Sequence, residues 1–204
     1  MWVVERRSGW ILGFEDETWW SRFARPAMHS WAGAGESAHL VEQVKNKDDP
    51  DQKALACYGL LLHWMNEAQQ LTEKVLLRFV DGRSVSAITI QFLEWCCQEL
   101  QKMGKRGLAM IWDNASWHIS QAVRDWIRVH NQEVRRSGEG VRILVCLLPV
   151  KSPWLNPIEP KWMHGKRRVF EPNGLLSARE LADRVCANFG CAHDEHLSIA
   201  EKVS

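Results

Sequence analysis

The chain has 204 residues, 46% of them apolar and 25% charged, enough for one folded unit with a substantial core. Its formal net charge of +1 excludes a module that holds DNA by bulk charge alone, while leaving room for an enzyme that meets DNA at a local patch. No apolar run reaches the length of a membrane span, and the N-terminal residues, with Glu5, Arg6 and Arg7, lack a signal-peptide pattern, so a cytoplasmic protein is expected.

Residues 10–20 (WILGFEDETWW) begin apolar and end in acids, which predicts a strand carrying carboxylates to a sheet edge. Residues 21–53 contain Pro26, Gly33, Gly35 and the turn-like run NKDDPDQ, and read as a connection with one short strand near residues 40–44. Residues 54–64 and 74–80 are apolar runs around a turn at residues 66–67, as in a hairpin. From Ser86 to Met103, Ile88, Phe92, Leu93, Cys96 and Leu100 recur at helical spacing, and Gly104 is the stop. Residues 108–112 (LAMIW) predict a short buried strand ending at Asp113 and Asn114. A helix is expected over 120–134, a polar loop over 135–140, and a strong buried strand over 141–148. Helices are expected over 157–169 and 177–188. Early strands followed by alternating helices and strands predict a mixed sheet with helices packed on it.

Three acids stand at element ends beside apolar segments: Asp16, Asp113 and Glu159. If the first and fourth strands are neighbours, Asp16 and Asp113 end close together, and the helix carrying Glu159 brings a third carboxylate. Such a cluster repels itself unless a cation sits within it, and oxygen-only ligation points to Mg²⁺ or Mn²⁺. Two such ions about 4 Å apart activate an attacking oxygen and stabilise a leaving one in phosphodiester displacement. Each acid also has a plain structural reading. Asp16 belongs to an EDE run, Asp113-Asn114 is a turn, and Asn156-Pro157-Ile158-Glu159 fits a helix start with a capping box.

The strings GFEDETWW, IWDNASWH and LLPVKSPWLNPIEPKW resemble the three catalytic motifs of Tc/mariner-type DDE transposases, particularly those of bacterial insertion sequences, over residues 11–181. The resemblance implies an α/β, RNase H-like fold with a five-stranded mixed sheet flanked by helices. It implies that Asp16, chosen over Glu15 and Glu17, forms the catalytic and metal-binding triad with Asp113 and Glu159, with two Mg²⁺ or Mn²⁺ ions. It implies cleavage at transposon ends followed by attack of the freed 3′-hydroxyl on target DNA, within a homo-oligomeric synaptic complex at the nucleoid. Asn114, His118, Asn156 and Trp162 match further motif positions. With Lys161, Lys166, Arg167 and Arg168, they are expected to support the acids or contact DNA.

Two departures from the family accompany this. The interval from Asp113 to Glu159 is long, and the excess is assigned to residues 130–140. The helix-turn-helix region that binds terminal inverted repeats in relatives has no counterpart, so residues 1–204 are read as one catalytic domain with peripheral ends at 1–10 and 190–204. The DNA-binding piece is then expected to be separate, in a split or truncated element. The alternatives are a nuclease of the same fold without strand transfer, and a non-catalytic remnant. Six cysteines, most within apolar stretches, fit a reducing compartment. Cys186, Cys191, His193 and His196 lack the spacing of any standard zinc finger and read as a helix end and tail. The high count of twelve scattered tryptophans has no physical account.

Overall fold

The computed structural model describes residues 9–23, 46–66, 68, 70–171 and 174–199. The short strand expected near residues 40–44 lies outside them. Strands β1 (Trp10–Ser21), β2 (Ala54–Met65), β3 (Leu71–Val80), β4 (Gly107–Trp112) and β5 (Arg142–Leu147) form one sheet in the order β3-β2-β1-β4-β5. β1, β2 and β3 are a continuous antiparallel set, and β4 and β5 run parallel to β1. This is a five-stranded mixed sheet, as the resemblance implies.

Helices α1 (Ser86–Lys102), α2 (Gln121–Ser137), α3 (Ile158–Val169) and α4 (Ala178–Phe189) flank the sheet. Alternate residues of each strand face opposite sides, so β1, β2 and β3 feed two cores, while β4 and β5 feed one. One core joins Tyr58, Leu60, Met110 and Trp112 to Phe92 and Cys96 of α1 and Val123 of α2. The other joins Trp20, Cys57 and Leu61 to Ile158 and Trp162 of α3 and Leu181 and Val185 of α4. Helix ends follow local chemistry. The hydroxyl of Ser120 accepts from Val123 N and caps α2. Ser177 and Glu180 form a reciprocal capping box on α4.

Several expectations change. β1 is the central strand, so its acids lie inside the sheet rather than at an edge. The expected loop over 135–140 is shortened, because α2 continues to Ser137 and stops at Gly138 in the left-handed conformation (φ 75°). Most of the excess between Asp113 and Glu159, expected as loop, is therefore helix. The expected buried strand over 141–148 is the edge strand β5. Ile143 is buried, whereas Leu144 on the opposite face is exposed, because only one face of this edge is covered. The tail expected to be peripheral is docked: Leu197 is buried and bridges Val80 on the free edge of β3. Unpaired backbone groups of that edge bind it, with Leu197 N donating to Phe79 O (2.8 Å) and Asp81 N to Leu197 O (2.9 Å).

Candidate active site

The acids of β1 are sorted by the strand's period of two. Glu15 and Glu17 point to the α2 side, and Asp16 points to the α3 side, where Glu159 lies. β1 and β4 pair as far as Phe14 with Ile111. Asp16 and Asp113 each follow that pair by two residues, so the backbone carries both to the same level of the sheet.

On the α3 side, Trp162 Nε1 donates to Asp16 Oδ2 (2.9 Å). Burial, followed by repulsion from Glu159, Glu15 and Glu17, raises the Asp16 carboxyl to about 8. Glu159 sits half-buried in the first turn of α3. The capping box expected for this helix does not form: no side chain caps it, and Pro157 occupies the N-cap position. Asn156, the expected cap, is buried and donates to Glu15 O (2.9 Å) while its Oδ1 accepts from Ile158 N (3.4 Å). It ties the start of α3 to β1, which fixes Glu159 relative to Asp16.

On the α2 side, His118 is almost fully buried and stacks on Trp112 at 4.5 Å. Its Nδ1 is 2.8 Å from Asp113 Oδ1, and its Nε2 is 3.0 Å from Glu17 Oε1 and 3.1 Å from Glu15 Oε2. Burial opposes the imidazolium, but Glu15, Asp113 and Glu17 outweigh it and push the His118 value up. Burial raises the Glu15 carboxyl, while the hydrogen bond from His118 leads the effects that hold Asp113 below the usual carboxylate range. Trp117 also donates its indole N–H to Glu17. Ligand atoms of Glu15, Glu17 and His118 all lie within 4.8 Å of one another. Both imidazole nitrogens already face carboxylates, however, so His118 acts as the cluster's own cation rather than as a metal ligand.

The sequence-predicted residues therefore fall into two groups. Asp16, Glu159, Trp162 and Asn156 gather around α3. Asp113 turns its carboxylate to His118 and accepts from Ala115 N through the same Oδ1 (2.8 Å). Asn114 donates to Leu148 O (2.7 Å) and secures the end of β5. His118, Asn156 and Trp162 are buried, and each hydrogen-bonds to a residue that carries one of the acids. Lys161 pairs with Glu73 on β3, and Lys166 donates to Thr18 Oγ1 (2.7 Å), while Arg167 and Arg168 are exposed. The sequence left Glu15 and Glu17 without a role, although the alternation of an EDE run places them together on one face. It also left Trp117 without a role, and that indole donates to Glu17.

A mixed sheet with Asp16 within its central strand and Asp113 just past the neighbouring parallel strand defines the class. The DDE superfamily endonuclease family matches residues 14–182, and the chain belongs to that family. Among solved structures, the chain resembles the Mos1 transposase paired-end complex with left transposon end. The two are 17% identical with a TM-score of 0.57, over 90% of this chain and 49% of that one. It resembles the Mos1 mariner paired end complex with Mn at 18% identity and a TM-score of 0.56, covering 95% and 52% of the two chains. A pre-cleavage Mos1 transpososome matches at 17% identity and a TM-score of 0.53, covering 95% and 52%. The chain thus spans about half the length of the solved structures it matches. No curated protein matches it. Among the described residues no helix is long and apolar enough to cross a membrane.

Proposed function

We propose that this chain is the catalytic domain of a Tc/mariner-type DNA transposase, in which Asp16, Asp113 and Glu159 hold divalent metal. The observation that carries the reading is the match to the DDE superfamily endonuclease family, which spans all three acids. The side-chain arrangement supports it. Asp16 engages Trp162 through Oδ2 and Asp113 engages His118 and Ala115 through Oδ1. The other oxygen of each carboxylate makes no hydrogen bond among the described residues, so each acid is oriented and still has a donor atom. The donor set fits Mg²⁺ or Mn²⁺, because it offers oxygen ligands and because the charged form of buried Asp16 is penalised by Glu159, Glu15 and Glu17. A pair of such ions, when bound, would activate an attacking oxygen and stabilise the leaving one.

The chain's own residues hold the geometry. Trp162 and Asn156 set Asp16 and the start of α3, and His118 sets Asp113. Exposed Arg167 and Arg168 on the same helix as Glu159 supply positive charge for phosphates. The substrates in this reading are transposon-end inverted repeats and target DNA, engaged by an oligomer.

The test is nicking and joining of pre-cut transposon-end DNA with Mg²⁺ or Mn²⁺. Wild-type chain is expected to cleave and join, and Asp113→Asn to abolish both. Activity that survives Asp113→Asn refutes the site. Cleavage without joining identifies a nuclease of the same fold.

A further inference from the structure

Beyond the catalytic acids, a second cluster stands where the C-terminal segment meets β3 and α4. His193 Nδ1 is 2.6 Å from Asp183 Oδ1 of α4, and His196 Nδ1 is 2.7 Å from Asp81 Oδ1, just past β3. The two Nε2 atoms face each other at 3.3 Å. Phe79 packs against both rings, edge-on to His193 and tilted to His196, with centroids 5.7 and 5.5 Å away. Each imidazole remains partly open to solvent, with about a fifth of its surface exposed.

An ionised carboxylate only accepts hydrogen bonds, so each Nδ1 beside one carries the proton. A neutral ring then presents a lone pair at Nε2, and two such lone pairs meet head-on. The lone pairs repel unless a proton or a metal ion lies between them. Two nitrogens at about 2.0–2.1 Å from a tetrahedral ion stand about 3.3–3.4 Å apart, which is the spacing found. The outer carboxylates complete the pattern, because a metal-ligating histidine ordinarily donates its other N–H to a carboxylate or carbonyl. The thiol of Cys191 is engaged elsewhere, donating to Cys186 O (3.5 Å). This explains why spacing that suits no zinc finger still yields a paired-histidine site.

We propose that His193 and His196 bind a divalent transition-metal ion of the zinc class, with Asp183 and Asp81 orienting the rings and solvent completing the shell. Imidazole ligands favour Zn²⁺, Ni²⁺ or Cu²⁺ over the hard ions that suit carboxylates. The bound ion fastens the C-terminal segment to β3 and α4. Arg78, which donates to Glu195 O, holds the same segment from the strand side.

The test is thermal unfolding of the full chain with added Zn²⁺ in excess Mg²⁺, which keeps the catalytic carboxylates occupied. At about 100 times the dissociation constant, Tm is expected to rise by about 5–10 °C. The double variant His193→Gln, His196→Gln is expected to lose the rise. Asp81→Asn, which keeps both rings, is expected to bind Zn²⁺ about 10–100-fold more weakly with an unchanged circular dichroism spectrum. Co²⁺ bound to the wild type is expected to show visible absorption of a tetrahedral ion with nitrogen ligands. No Zn²⁺-dependent rise in the wild type means that a shared proton joins the rings, and overturns the proposal. A rise that persists in the double variant overturns it too, as does unchanged affinity in Asp81→Asn.

Discussion

Gly59 offers the most direct test of how the fold sets the site. It lies opposite Asp16 in the β1–β2 ladder, and the indole of Trp162 occupies the space where its side chain would be. A Cβ there would stand 2.3 Å from Trp162 Cη2 and 2.5 Å from Cζ2, with Ile158 Cδ1 at 3.2 Å. Ordinary contact begins about 1 Å further out, and neither a ring buried against Trp20 and Phe189 nor β-sheet backbone yields that distance freely. The Gly59→Ala variant must therefore lift the start of α3 by about 1 Å or push Trp162 off its rotamer. Overpacking of this kind costs about 1–3 kcal/mol. For a domain of this size that lowers Tm by about 2–12 °C. The same shift breaks the bond from Trp162 to Asp16 and moves Glu159, and a displacement of about 1 Å near reacting groups costs about 100-fold in rate. The assay pairs calorimetric unfolding with cleavage of transposon-end DNA under Mn²⁺. A variant with wild-type Tm and wild-type cleavage would refute the claim that Trp162 packed on Gly59 sets the acids.

Three further outcomes follow from the site. His118→Gln removes the cation shared by Asp113, Glu15 and Glu17, and is expected to cost about 3–5 kcal/mol by leaving buried charge uncompensated. Because the folded value of His118 is raised, its contribution is complete below the unfolded value near 6.5 and is lost as pH rises through the folded value. The Tm gap between wild type and variant should narrow toward alkaline pH, and a widening gap would contradict the assignment. Asp16, raised to about 8, holds a proton at pH 7 in the metal-free fold. Metal-free stability should therefore fall as pH rises from about 4 to about 8, and Mg²⁺ binding at pH 7 should release protons. Titration calorimetry in buffers of different ionisation enthalpy measures this release, which Asp16→Asn should remove. Arg167→Ala with Arg168→Ala should weaken DNA binding and reduce the salt slope by about 1 for each phosphate that is no longer neutralised, with folding unaffected; an unchanged slope would place DNA elsewhere.

The sequence by itself determined the elements and the family. Apolar runs and 3.6-residue spacing marked the five strands and four helices to within a few residues, and the three motifs pointed to a DDE enzyme before any geometry was considered. Local pattern reaches only local partners, however. It could not place β1 at the centre of the sheet, because strand order depends on pairings between distant segments. It made residues 141–148 look like a core strand, since an apolar run reads alike at an edge and in the middle. It made Asn156 a helix cap, whereas its amide crosses 141 positions of sequence to reach the Glu15 carbonyl.

The acids show the same division. Alternation in the EDE run already places Asp16 on one face and Glu15 and Glu17 on the other. Only the packing of α3 against β1 and β2 decides that Asp16 meets Trp162 and Glu159 while His118 answers the other two. The paired histidines of the C-terminal segment follow this rule as well. Their orienting carboxylates, Asp81 and Asp183, lie 115 and 10 positions away in the chain, and only docking of the tail on the free edge of β3 brings them together.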